Sequence, residues 1–288
     1  MRYPPYGGKE RTLLGLRNLY RVFHESRSAA RRHASLAVVG NVPEAERLAE
    51  LLDAGRSSAS AEVLLNVTDT PGTGVEVYVS GEAVEDKETI SLAALTEEAV
   101  LRELVPRVVG SLDEDYLIPL GRGYPVFRHP VCEKIIHKNA RQNAVVGALP
   151  IPGADMPAIT ANQGRMVLGI AAVYGEEISL DRARELAGVL AAGFGLRALA
   201  RQVVKLVPVA GWAASGIIGY AGTLAMGRAT ILYFERGKRK PESEELSRIR
   251  RWALQEAKTF LALLARGGSR YSQGCSSLKQ EVSRRALV

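Results

Sequence analysis

The sequence predicts an α/β unit followed by an all-α one: a small Rossmann-like unit of three strands, then an Ala/Gly-rich helical bundle with hairpin-like apolar helices. Three observations point there. Between residues 35 and 81, short apolar, β-branched runs alternate with turn residues and one helical segment. From residue 96 onward, apolar residues recur at helical spacing. Finally, KLVPVAGWAASGIIGYAGTLAMGRATILY, residues 205–233, holds no ionisable side chain between Lys205 and Arg228 except the Tyr220 hydroxyl. Its length approaches the roughly 20 apolar residues that cross a hydrocarbon core. It consists mostly of Ala and Gly, whose small side chains let helix backbones approach closely.

The totals bound the possibilities. A chain of 288 residues can bury an ample core as one large or two small domains. An apolar content of 47% and a mean hydropathy of −0.02 exclude a polytopic membrane protein of the usual kind, so any membrane contact is local. The formal net charge is +7, with the excess near the two ends. That suits a nearby anionic surface, lipid or nucleic acid, and equally suits a basic protein with no such partner. Cys132 and Cys275 lie far apart in sequence, which argues against a structural disulfide and places the body of the protein in a reducing compartment. No apolar core with a small-residue cleavage site follows the basic N-terminus, so no signal peptide is expected.

Residues 1–34 form the first segment. After MRYPPYGG, the apolar set Leu13, Leu14, Leu16, Leu19, Tyr20, Val22 and Phe23 is spaced for an amphipathic helix with a basic face, weakened by Gly15. Such a helix can lie on a membrane surface or pack its Leu face on the protein.

The α/β unit is expected over 35–95. A strand ends at Gly40, and Pro43 opens a helix whose Leu48, Leu51 and Leu52 face inward. The strand-turn-helix layout resembles the nucleotide-binding loop of P-loop GTPases, with Gly40 as the first glycine. That loop requires Gly, Lys and Ser or Thr five to seven residues on, and here those places hold Ala45, Glu46 and Arg47. A carboxylate thus stands where a phosphate-binding ammonium belongs. A second strand, residues 63–70, runs into Asp69-Thr70-Pro71-Gly72, which matches the DxxG switch of GTPases but is also ordinary strand-to-turn composition. No base-reading NKxD motif follows. Residues 75–81 make a third strand, and 82–95 read as an acidic connector.

The helical domain is expected over 96–240. Thr96 caps a helix with Glu97, Glu98 and Glu103 near its start and Val100, Leu101, Leu104, Val105, Val108 and Val109 at core spacing. Residues 111–127 read as a loop with short helical turns, and Pro130 suits the start of the next helix. His129, Cys132 and His137 are the nearest thing to a metal cluster. His137 falls off the face shared by the other two and no fourth ligand follows, so a core role for Cys132 is the expectation. Lys134, Lys138 and Arg141 mark a basic helix side.

The break Pro150-Ile151-Pro152-Gly153-Ala154-Asp155 cannot sit in a straight spanning helix. A carboxylate at the bilayer centre costs roughly 2.5–3.5 kcal/mol. A helix-break-helix hairpin with Asp155 capping the second arm at Met156-Pro157 accommodates it. From Asp181 a third helix runs through Leu186, Val189, Leu190 and Phe194. After Pro208, the small residues Gly211, Ser215, Gly219 and Thr223, with Gly216 and Gly222 beside them, form a helix-packing face. Buried in an α-bundle or placed in a membrane hairpin, that face has the same pattern.

The set Pro150–Asp155, Gln163, Met166, Tyr174-Gly175, Arg201, Lys205, Pro208, Gly211, Gly222-Thr223, Ala225, Gly227 and Tyr233-Phe234 resembles the YcjF-like domain of unknown function, number six-nine-seven in its series. The resemblance covers about residues 130–236. It implies a bacterial helical domain commonly assigned to the membrane and often found behind Era- and Ras-like GTPase domains, with no established catalytic residues to carry over.

Arg236-Gly237-Lys238-Arg239-Lys240-Pro241 closes this domain, and on a membrane protein would be juxtamembrane and cytoplasmic. A C-terminal amphipathic helix follows over 241–267, with Leu246, Ile249, Trp252, Ala253, Ala257, Phe260, Leu261 and Leu264 on its apolar face. A polar tail, 268–288, is expected to be disordered.

The functional expectation is a non-catalytic protein associated with the cytoplasmic membrane, the bulk of its chain on the cytoplasmic side. Its partners would be membrane lipid and either further copies or another protein held through the Gly/Ala helix faces. No catalytic, cofactor-binding or metal residue is assigned. The alternatives are a nucleotide-dependent switch and a soluble helical interaction module. Nucleic-acid binding is not expected, because aromatic residues do not interleave with the basic ones.

Overall fold

The computed structural model describes residues 33–70, 74–148, 155–176 and 211–271. Strand β1 (Leu36–Val39) leads through Gly40 into helix α1 (Pro43–Leu52), and the chain returns as β2 (Val63–Thr70), paired parallel to β1. β3 (Gly74–Ser80) and β4 (Glu88–Leu92) then add as an antiparallel meander, giving a four-stranded sheet in the order β1-β2-β3-β4. The expected three strands are therefore four, and the Rossmann-like part is confined to β1-α1-β2. The supposed acidic connector contains β4, whose Ile90 and Leu92 enter the core while Thr89 and Ser91 face water. Its alternation is short and flanked by charges, which masked it.

All four strands bury the same face. Leu36 and Val38, Val63, Leu65 and Val67, Val75, Val77 and Val79, and Ile90 and Leu92 alternate inward, as the two-residue period of a strand requires. Leu48 and Leu52 of α1 pack on them, but Leu51 is 39% exposed, against the expectation that it faces inward.

Helix α2 (Glu97–Ala99) opens with Thr96 Oγ1 accepting the Ala99 N–H at 3.2 Å, the expected cap. It continues through a π-helical turn (Val100–Leu104) into α3 (Val105–Ser111). The wider turn shifts the apolar stripe, so Val100, Leu104, Val105, Val108 and Val109 are buried whereas Leu101 is 43% exposed. Residues 111–127, expected as a loop with short helical turns, contain the ten-residue α4 (Glu114–Gly123), capped by Asp113 with Pro119 inside it, and a short turn of 3₁₀ helix (Pro125–Phe127). Pro119 and Gly121 both sit inside this helix despite their poor helix propensity. Gly121 earns its place by contact: a Cβ there would stand 2.9 Å from Val173 Cγ1.

The rest is a helical bundle of α5 (Arg128–Ala148), α6 (Asp155–Val173), α7 (Gly211–Glu235) and α8 (Ser243–Tyr271). α6 starts at the predicted Asp155, whose side chain lies outside the described residues. α8 runs past Gly268, where the polar tail was expected to begin. The residues of 1–32, the Pro150–Ala154 break, the helix from Asp181, and Arg201, Lys205, Pro208 and Cys275 also lie outside the described residues.

Pairings fix the directions. Asn162 bonds to Asn143 and Gly169 lies beside Ile135, so α5 and α6 form an antiparallel hairpin. Gly219 touches Asn143 and Gly227 touches Ile136, so α7 runs antiparallel to α5. Tyr220 stacks on Phe260 at 4.4 Å and Arg228 on Trp252, so α8 runs antiparallel to α7.

α7 is the central helix of the bundle. Ile217, Tyr220, Ala221, Thr223, Leu224, Ala225, Ala229, Thr230, Ile231 and Tyr233 are all buried, on every side of the helix, as an all-round apolar helix requires. A membrane-spanning α7, the alternative that the sequence left open beside a buried one, is not found: among the described residues no helix is long and apolar enough to cross a membrane. The Ala and Gly that lower the hydropathy of α7 are the residues that let its neighbours close around it.

One core cluster runs through the sheet and the bundle, from Ala34 to Ala257. Polar links seal the seam between them. The Leu36 N–H donates to the Tyr124 hydroxyl at 2.8 Å, and the Asp113 N–H donates to the Ala83 carbonyl at 2.9 Å. Lys134 of α5 donates to the carbonyls of Val109, Gly110 and Leu112 at 2.9, 3.0 and 2.8 Å, closing the C-terminal end of α3.

Candidate functional site: a polar seam inside the helical bundle

Amides are costly to bury unless their hydrogen bonds are made, and the bundle buries several in one place. Asn139 and Asn143 of α5 lie one turn apart on the same face, Asn162 and Gln163 come from α6, and Thr223 comes from α7. Asn143 and Thr223 are fully buried. Asn143 Nδ2 donates to Thr223 Oγ1 at 2.8 Å, and Asn143 Oδ1 accepts from Asn162 Nδ2 at 2.9 Å. Asn162 Nδ2 also reaches the Asn139 carbonyl at 3.2 Å, and Gln163 Nε2 reaches Thr223 Oγ1 at 3.3 Å. The Thr223 hydroxyl spends its own proton on the Gly219 carbonyl at 2.7 Å. Three helices are thereby locked in one register. Amides and a hydroxyl offer neither an activated nucleophile nor an acid-base pair, so this seam holds and aligns.

Sequence reasoning identified Gly219, Thr223 and Gln163 here and missed Asn139, Asn143 and Asn162. The available signal was the pair of amides four residues apart in α5, just ahead of the apolar run 144–148. Of the predicted packing face, Gly219 makes a close approach, and Gly227, which that face did not include, makes another. A Cβ on Gly219 would meet the Asn143 carbonyl oxygen at 2.7 Å, and one on Gly227 would meet Ile136 Cγ1 at 2.4 Å. Gly222 has nothing within 4 Å of such a Cβ, and the side chains of Gly211 and Ser215 positions lie outside the description.

Two openings flank the seam. A cleft of about 420 Å³ between α4, α5 and α6 is lined by Glu114, Ile118, Lys138, Asn139, Arg165 and Met166 among others, with Lys138 ion-paired to Glu114. Nearer the end of α5, a shallower groove of about 530 Å³ is lined by Arg141, Gln142, Asn143, Val145, Val146 and Asn162. Val145 is 64% exposed.

A charged cluster sits lower on the bundle. Arg228 Nε lies 2.7 Å from Glu133 Oε1, and its guanidinium stands 4.4 Å from the Trp252 ring centroid, so one side chain ties α7 to both α5 and α8. His129 and His137 flank Glu133 at 3.8 and 3.6 Å, and His129 also lies 3.5 Å from Glu235. Cys132 is buried in the core, where desolvation, then Glu133 and Glu235, push its thiol pKa well up. The trio His129, Cys132 and His137 is thus split between surface and core. Among the described residues no group of three or more His, Cys, Asp and Glu is placed to hold a metal ion.

Two residues of the basic helix side are committed, Lys138 to Glu114 and Lys134 to the end of α3, while Arg141 is exposed. Lys134 caps α3, and its burial lowers its pKa. In the basic linker, Arg236 pairs with the buried Glu245, whose carboxylate also accepts the Glu242 N–H at 2.9 Å, and Lys238 pairs with Glu176 at 2.6 Å.

The loop after β1 has its own explanation. Gly40 has φ +151°, and a Cβ there would stand 2.5 Å from the Val67 carbonyl oxygen. Arg56 donates to the carbonyls of Gly40 and Val38 at 3.0 and 3.2 Å. Ala45 is buried, and Glu46 and Arg47 are exposed. Asp69 and Thr70, the start of the DxxG match, pair with Val75 and Gly74 across an antiparallel hairpin. The motif's Pro71 and Gly72 lie outside the described residues.

Residues 127–259 match the family described as Domain of unknown function (DUF697), so the chain carries a DUF697 domain over the bundle. Over 121 residues it is 29% identical to magnetosome membrane protein 22 of Magnetospirillum gryphiswaldense, a distant homologue. The alignment takes in 39% of this chain and 62% of that protein, so the chain spans under two thirds of its relative's length. No solved structure matches the chain.

Proposed function

We propose that this chain is a membrane-associated, non-catalytic protein whose DUF697 bundle is a packing and interaction module, held at the cytoplasmic membrane with most of the chain on the cytoplasmic side. The observation that carries the reading is the distant homology to a magnetosome membrane protein. The absence of catalysis is supported by the seam's make-up of amides and a hydroxyl, and by the carboxylate of Glu46 where a P-loop needs a lysine.

Association is peripheral or shallow in this reading, because the described helices wrap α7 instead of offering it to lipid. That same wrapping favours the second reading, a soluble helical interaction module. Fractionation of expressing cells separates the two. The membrane reading expects the full chain in the membrane pellet and its release by alkaline carbonate; a chain found wholly in the soluble fraction favours the second reading.

A further inference from the structure

We propose that the outer edge of β4 is a docking site for an extended, basic segment of another protein, which adds to the sheet as a further strand. This goes beyond the membrane reading above and does not rest on it.

A strand at the end of a sheet carries backbone N–H and C=O groups on its outer side that no ladder uses. This sheet has two such ends, and the chain treats them differently. At β1 the edge is closed. The Val38 N–H donates to the Gly55 carbonyl at 2.9 Å, the Gly55 N–H donates to the Leu36 carbonyl at 3.0 Å, and Arg56 covers the Val38 carbonyl at 3.2 Å. At β4 the edge is open. Glu88–Leu92 pairs with β3 alone, and among the described residues no other backbone group bonds to it. Edges are usually blunted by a proline, a lysine, a bulge or a covering segment. β4 contains neither Pro nor Lys, and its register with β3 runs unbroken from Glu88 to Leu92.

The side chains around this edge suit a peptide. Tyr78, 41% exposed, stands opposite Thr89 in the register, and Leu101, itself exposed, lies in the π-helical turn packed against β4. Charge selects the partner's sign. The chain has a net charge of +7, yet residues 82–103 hold seven acids against two bases, Lys87 and Arg102. Glu88 is paired with Arg107, and Glu98 with Arg102. Glu82, Glu85, Asp86, Glu97 and Glu103 are exposed and make no salt bridge among the described residues. Acids thus precede and follow β4 along the chain, and a basic strand on the open edge complements them. In strand addition the main-chain bonds supply affinity and the side chains specificity.

Hydrogen-exchange mass spectrometry on the full chain tests this, with a synthetic peptide that alternates Lys with Val and a control that alternates Glu with Val. The expected result is that amides within 88–92 exchange severalfold more slowly with the Lys peptide, that salt weakens the effect, and that the Glu peptide has none. No slowing over 88–92, or equal slowing by both peptides, overturns the proposal. Full protection of every β4 amide in the chain alone, at low concentration, assigns the edge to another part of the same chain and overturns it. Protection that grows with protein concentration and needs no peptide assigns the edge to a second copy and equally overturns it. Thr89→Lys combined with Ser91→Lys, at two exposed positions, is expected to weaken Lys-peptide binding severalfold in fluorescence anisotropy with an unchanged melting curve; undiminished binding counts against the proposal.

Discussion

Gly219 of α7 lies so close beneath Asn143 of α5 that a methyl group on it would stand 2.7 Å from the Asn143 carbonyl oxygen. One turn on, Thr223 takes the Asn143 amide, and one turn further Gly227 lies against Ile136. Small residues at four-residue spacing are thus the means by which α5 and α7 approach.

Alanine at these glycines separates packing from propensity. Ala favours an isolated helix over Gly by about 1 kcal/mol, so a free surface position would gain stability. Here overpacking dominates, and Gly219→Ala and Gly227→Ala are each expected to cost about 1–3 kcal/mol in urea unfolding. Gly219→Ala is the worse of the two, because its obstacle is backbone. Ile136→Ala should partly rescue Gly227→Ala in a double-mutant cycle and leave Gly219→Ala uncorrected.

Thr223→Val keeps the shape and removes the acceptor for Asn143 and Gln163. Leaving buried amides unpaired costs about 1–3 kcal/mol, read as a lower urea midpoint with unchanged m. Asn143→Ala combined with Thr223→Val should cost less than the sum of the two. Strict additivity would mean the seam does not act as a unit.

Part of this was legible in the sequence. Gly219 and Thr223 of the α7 packing face, the cap at Thr96 and the strand at 63–70 are local signals, and each stands where the pattern places it. β4 was lost because Glu85, Asp86, Lys87 and Glu88 crowd a five-residue alternation. The cap that Lys134 gives α3 was illegible for a different reason: its carbonyl partners are 22 to 25 residues away, and only the fold brings them together. The same holds for Arg228, whose partners Glu133 and Trp252 come from two other helices. α7 shows the deepest ambiguity. An uncharged Ala/Gly helix has the same pattern in lipid and inside a protein, and its neighbours decide.

Cys132 offers a chemical check on the core. Burial raises its thiol pKa, so little thiolate exists at neutral pH. In a Cys275→Ser background the folded protein should resist a maleimide at pH 8 and react once denatured. Prompt labelling of the folded chain would mean that α5 does not bury this face.

Acid should loosen the start of the sheet. Glu62 accepts the Ser35 hydroxyl at 2.5 Å and the Ser35 N–H at 2.6 Å, bonds that hold its carboxyl below its ordinary pKa of 4.5. A depressed folded-state pKa contributes stability above the unfolded value, lost as pH falls below about 4.5 and through the folded value. Its solvent contact keeps the contribution under about 1 kcal/mol. Glu62→Gln should therefore be slightly less stable at pH 7 and should converge on the parent in acid, as followed by thermal melting at both pH values.

The central proposal is that this protein, which carries a DUF697 domain over residues 127–259, associates with a membrane, and flotation of the purified full chain with phosphatidylglycerol-containing vesicles tests it most directly. The account predicts that the protein rises with the vesicles and that salt weakens the association without abolishing it, because apolar contact supplements the charge. Recovery of the protein at the bottom of the gradient, free of lipid at low salt, would contradict it.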